Sequence, residues 1–426
     1  MRTRWILFFL LLFLSACLLG VLVYNLPPVH ERLAWRVTNL LTRIKYSLNP
    51  PQQVVFVPQE QVQLIVEATL LALTPSPTAT PPATSTPEAI ASLTPTPSPT
   101  PILGKAILSG VAHEYQKFNN CGPANLAMAL HYWDWQGDQM DTAAYLRPDA
   151  RDKNVMPAEM EAFVEEKAGL RAVVRVGGDL QTLKRFLAAG FPVIIEKGHH
   201  PPKDWWMGHY LVLSGYDDEN SRFIAQDSLV MADLKVPYKD IEERWWRDFN
   251  YIYLVIYPPE REAEVNSILG EDADQTANDQ HALQKASDEI PLLQGRDLFF
   301  AWYNLGTNRV ALGDYAGAAT AYDQAFALYQ SLTEADRPYR MLWYQVGPYP
   351  AYYHTGRFQD VISLANTTFA WVGEPVLEET YYWRAMAYLA LGEADKAIAD
   401  FKKAARLNPN STDALEQLKL LGVAAP

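Results

Sequence analysis

Residues 116–128 read QKFNNCGPANLAM, and residues 208–217 read GHYLVLSGYD. In the first stretch Cys121 stands at the entry of an apolar, helix-forming run (Leu126, Ala127, Leu130). Gly122 and Pro123 suit the tight first turn of such a helix. A cysteine there meets the positive end of the helix dipole, which favours thiolate over thiol. In the second stretch His209 opens an apolar strand that ends in a Gly-Tyr-Asp turn. Eighteen residues later comes Ala225-Gln226-Asp227-Ser228 at the end of the next strand. The order is a cysteine on a helix, then a histidine and an aspartate on consecutive strands. It supplies a nucleophile, a base and a group that fixes the base's tautomer. Gln116, five residues before the cysteine, has a side-chain amide that suits an oxyanion, with the Cys121 N–H as second donor.

These three motifs, CGPA, GHYLVLSGYDD and AQDS, resemble the bacteriocin-processing, double-glycine-leader peptidase family and its stand-alone relatives. The resemblance covers about residues 105–258 and implies a papain-like fold. It implies Cys121 as nucleophile, His209 as base, Asp227 as its orienting group and Gln116 as an oxyanion donor. The chain shows no P-loop and no six-span transporter region, so the leader-peptide substrate of transporter-fused members is not carried over.

Composition limits the alternatives. The chain has 426 residues, a formal net charge of −13 and a pI near 5.1. That balance argues against nucleic acid as partner, since phosphate binding needs clustered cations. Cys17 and Cys121 are the only cysteines. Cys17 lies in the N-terminal apolar run, which leaves Cys121 as a free thiol rather than part of a disulfide framework. No cofactor motif is present. The adjacent His199 and His200, followed by two prolines, read as a loop near the cleft mouth rather than a metal site. Trp205, Trp206, Trp245 and Trp246 read as core or loop packing.

Outward from the catalytic motifs, the chain divides into six parts. Residues 1–25 hold Arg2 and Arg4 and then an uncharged run from Trp5 to Tyr24, long enough to cross about 30 Å of hydrocarbon. Leu14-Ser15-Ala16-Cys17 also resembles a lipobox, so a lipid anchor is the other reading. Residues 26–73 form a membrane-proximal segment with a short helical pattern. Residues 74–102 are a Pro/Thr/Ser-rich stalk, with nine prolines among the 28 residues 74–101, extended as polyproline-II. Residues 103–258 form an α+β domain, with strands expected at 172–176, 192–196, 209–216, 221–226 and 251–257. The polar stretch 259–281 reads as a linker. Residues 282–426 are all-α. Trp302, Leu305, Gly306, Gly313, Ala318, Tyr322 and Ala325 sit at tetratricopeptide spacing, and Tyr381 to Pro409 repeat it. A degenerate copy runs through Tyr349 to Ala365. The segment resembles tetratricopeptide repeats, which scaffold peptides or proteins.

The whole reads as a tethered, extracytoplasmic cysteine peptidase of single-pass or lipid-anchored topology. Its partners are a peptide or protein substrate, a protein on the repeats and the membrane. Two alternatives stay open: a papain-like peptide-binding scaffold without activity, and a related amidase or acyltransferase.

Overall fold

The computed structural model describes residues 2–24, scattered positions between 26 and 59, and residues 104–426 apart from 150, 153, 201–205, 373 and 374. The stalk at 74–102 and Trp205 lie outside the described residues.

Helix α1 (Arg2–Tyr24) carries exposed apolar side chains along its length, Phe9, Leu11, Phe13 and Leu18 among them. On a count confined to the described residues, no helix is long and apolar enough to cross a membrane. The sequence nevertheless holds no charge from Trp5 to Tyr24, so spanning remains an expectation from sequence.

The first globular unit is built on an antiparallel sheet. In chain order it contains β1 (Lys105–Ile107), α2 (Cys121–His131), α3 (Gln139–Leu146), α4 (Pro157–Phe163), β2 (Arg171–Arg175), α5 (Leu180–Ala188), β3 (Val193–His199), β4 (Met207–Asp217), β5 (Arg222–Asp227), β6 (Met231–Pro237) and β7 (Tyr253–Tyr257). The seven strands described run in the order β2-β7-β3-β4-β5-β6, with β1 paired to the end of β4. The long strand β4 shows why the domain has three layers. Tyr210 and Val212 face a core shared with Leu126, Met128 and Leu130 of α2. Leu211 and Leu213 face the opposite core, with Leu183 and Phe186 of α5. A strand covered on both faces reads as a continuous apolar run, as LVL does here.

Each expected strand is present within a few residues. β6 was not anticipated, because its pattern MADLKVP is interrupted by Asp233 and Lys235 and is mostly exposed. The expected linker 259–281 is instead folded, with helix α6 at Glu262–Leu269 and the start of α7 at Gln275–Glu289. Its polar residues serve as clamps. Arg175 donates to the carbonyls of Asp272 and Ala273 and to Gln275, and Asn278 bonds both backbone groups of Val176.

The helical unit continues as α8 (Gly295–Ala311), α9 (Tyr315–Ser331), α10 (Pro348–His354), α11 (Phe358–Val372), α12 (Glu378–Ala390), α13 (Ala394–Leu407) and α14 (Thr412–Leu420). Small residues permit the close helix pairing: a Cβ on Gly306 would come within 2.9 Å of the Tyr322 ring. This unit docks on the sheet domain through buried polar contacts. Asp248 accepts from Trp206 Nε1 at 2.8 Å and is ion-paired with Arg296 of α8. Asn304 donates to the Arg247 carbonyl at 2.8 Å, and Asn250 donates to Asn308 at 2.6 Å. A second contact joins Asn154 to Glu379 and Asn408 to Glu159.

Truncating one partner of a buried ion pair strands the other charge, at a cost of about 3–5 kcal/mol. Asp248→Ala is therefore expected to lower the melting temperature and to split one unfolding transition into two. Differential scanning calorimetry of the variant checks both.

Candidate active site

The site lies where the N-terminus of α2 meets the start of β4. The helix begins at Cys121, Asn120 provides no side-chain cap, and the Gly122 backbone N–H bonds the thiol sulfur. Pro123 fits the first turn, where its missing N–H costs nothing. Gly122 is required by packing, since a Cβ there would sit 3.0 Å from the Val155 side chain.

The loop before the cysteine is held by side chains. Asn120 donates to Gln139 Oε1 at 2.9 Å and accepts from Arg147 at 3.0 Å. Gln139 also accepts from the Lys117 N–H at 2.7 Å. Asn125 ties three elements together. Its amide donates to the carbonyls of Cys121 (2.8 Å) and Tyr210 (2.9 Å) and to the Ser228 hydroxyl (3.0 Å).

Cys121, His209 and Asp227 come together. His209 Nε2 lies 2.8 Å from Asp227 Oδ1, and both side chains are about 2–3% exposed. That leaves Nδ1 for the thiol, which hydrogen-bonds to the imidazole. The same aspartate oxygen accepts from the N–H groups of Leu229 (2.9 Å) and Val230 (3.1 Å). His113 Nε2 sits 2.9 Å from the Asp227 carbonyl and pins the end of β5.

The electrostatics run in one direction. Burial opposes ionisation of the Cys121 thiol, yet the hydrogen bond and positive charge of His209, with backbone groups of Tyr210 and Gly122, hold it below its usual value. Burial likewise opposes the imidazolium, but the charge and hydrogen bond of Asp227, with the thiol, raise His209 to about 9. Burial would raise Asp227; the imidazolium, the backbone N–H groups and Lys197 hold it far below the carboxylate range. All three shifts favour the charged forms: thiolate, imidazolium and carboxylate.

Gln116 also reaches the site. Its Oε1 accepts from Ser228 at 2.9 Å and its N–H bonds the Ser228 carbonyl at 2.9 Å. The chain Asn125–Ser228–Gln116 occupies the amide oxygen and leaves the amide N–H₂ as donor. Asn125 and Ser228 were not singled out in the sequence, although Asn125 lies one helical turn after Cys121. His199 is the last residue of β3, not a loop residue, and its ring centroid is 5.5 Å from that of His209. Burial and the positive neighbours His209 and Lys197 depress it to about 3, so it stays neutral. Tyr344 of the helical unit packs against Gly208, where an added Cβ would be 3.1 Å from the phenol ring.

Comparison with known proteins places two segments of the chain in known families. Residues 108–253 match the family described as Peptidase_C39 like, and residues 378–411 match the tetratricopeptide repeat. The resemblance read from the three motifs and from the repeats therefore holds for those segments. Among solved structures, the chain is similar to one described as a C39-like peptidase from Bacillus anthracis. Identity is 21% and the TM-score 0.31, over 36% of this chain and 96% of that one. No curated protein matches the chain.

Asp227→Asn removes the charge that raises His209. The imidazole is expected to titrate below 9, measured by NMR of its ring protons. Asn125→Ala is expected to cost about 1–3 kcal/mol in denaturant unfolding, through orphaned groups at Tyr210 and Ser228.

Proposed function

We propose that the chain is a membrane-tethered, extracytoplasmic cysteine peptidase that hydrolyses peptide bonds through Cys121, His209 and Asp227. The observation that carries this reading is the hydrogen-bonded run from thiol to imidazole to carboxylate, with shifts that favour thiolate and imidazolium. The thiolate attacks the scissile carbonyl carbon. The carbonyl oxygen takes up the negative charge against the Cys121 N–H and the Gln116 amide. The C–N bond breaks as His209 gives its proton to the departing amine, leaving a thioester. Neutral His209 then takes a proton from water, the hydroxide displaces the thiolate, and the carboxylic acid product leaves. Asp227 stays ionised throughout and holds the ring.

The apolar α1 serves as the anchor, with Arg2 and Arg4 on the inner side. The repeats supply a surface for a protein or peptide partner.

Activity is expected to rise as the thiolate forms, below the ordinary thiol range, and to fall as pH passes about 9, where His209 loses the proton it must donate. Assay on a mixed peptide library by mass spectrometry checks the reaction. Wild type should cut, and Cys121→Ala should lose about 10⁴-fold or more. A wild type that alkylates readily yet cuts nothing in the library would turn the reading toward a peptide-binding scaffold.

A further inference from the structure

The helical unit already holds a peptide, and it is the chain's own. Residues 54–59, VVFVPQ, lie upstream of the stalk and run without helix or strand pairing from Val54 to Pro58. Phe56 is only 3% exposed. Its ring packs edge-on against Phe326 of α9 at 4.9 Å and against Tyr352 of α10 at 6.1 Å. Pro58, two residues on, is buried with it. Residues i and i+2 of an extended chain point to the same side, so the aromatic and the proline enter the helices together.

Both ends of the segment are fastened by built-in groups. Trp371 of α11 donates its indole N–H to the Val54 carbonyl at 2.7 Å. The Gln59 N–H donates to Asp360 Oδ1 at 2.9 Å. Asp360 is buried, and its other oxygen accepts from Arg357 at 2.8 Å, so the acceptor is fixed. Backbone bonds at the ends and alternate side chains between them are how extended peptides are recognised.

We propose that residues 54–59 are the intramolecular ligand of the repeat region, seated in a site that accepts an extended apolar peptide of the pattern aromatic-x-Pro. Seating this segment ties the chain on the N-terminal side of the stalk to the repeat region. An intramolecular ligand of this kind acts at an effective concentration on the order of millimolar. A partner peptide for this site must displace it. This inference does not depend on the peptidase reading.

The test uses the full chain in mild detergent, with a site-specific protease sequence inserted in the stalk between residues 74 and 101. After cleavage the N-terminal piece should co-elute with the globular part on size exclusion. The synthetic peptide QVVFVPQ (residues 53–59) should release it, and the same peptide with Phe56→Ala should not. Full chain carrying Phe56→Ala should separate on cleavage. Separation of the two pieces in the otherwise wild-type chain, or co-elution unaffected by Phe56→Ala, would overturn the proposal.

Discussion

The proposed chemistry rests on one buried contact, the hydrogen bond between His209 and Asp227. An imidazolium in a site this enclosed is disfavoured by burial, and an ionised carboxylate beside it reverses that. The carboxylate is held ionised against burial by the charge and hydrogen bond of His209 first, and then by two backbone N–H groups and the nearby Lys197. Asp227, His209 and Cys121 therefore stabilise one another's charged forms. The charge and hydrogen bond of His209 lower the thiol, and those of Asp227 and the thiol raise the imidazole.

That arrangement needs three elements held in register. Asn125 links the nucleophile's helix to the histidine's strand and to the residue after Asp227. Gln139 and Arg147 fix the loop that delivers Cys121. The helical unit reaches the same region through Tyr344 against Gly208, and its docking contacts at Asp248 and Asn250 lie on the segment between β6 and β7. The two units thus share a polar interface next to the site, while 259–281 is folded because its own polar residues are clamped to Arg175 and Val176 of the sheet domain.

Much of this was legible in the sequence, and the reason differs by residue. Cys121, His209 and Asp227 sit in short local patterns: a helix entry, a strand start and a strand end. Local patterns survive without knowledge of the fold. The strands of the sheet core were legible because burial on both faces makes them continuous apolar runs. β6 was hidden because two charged residues, Asp233 and Lys235, break the apolar run of an exposed edge strand. Asn125 and Ser228 were hidden because their role is tertiary: each satisfies groups about 85 to 112 residues away. The seat of Phe56 was hidden for the same reason, its aromatic partners lying beyond the stalk and the whole sheet domain.

The most direct test of the central claim is the rate at which a small alkylating reagent modifies Cys121 across pH 4 to 9, in wild type and in His209→Ala. The account expects an apparent thiol pKa well below about 8.5 in wild type and a clear upward shift in the variant. A thiol that titrates alike in both proteins, or stays inert in both, would contradict it.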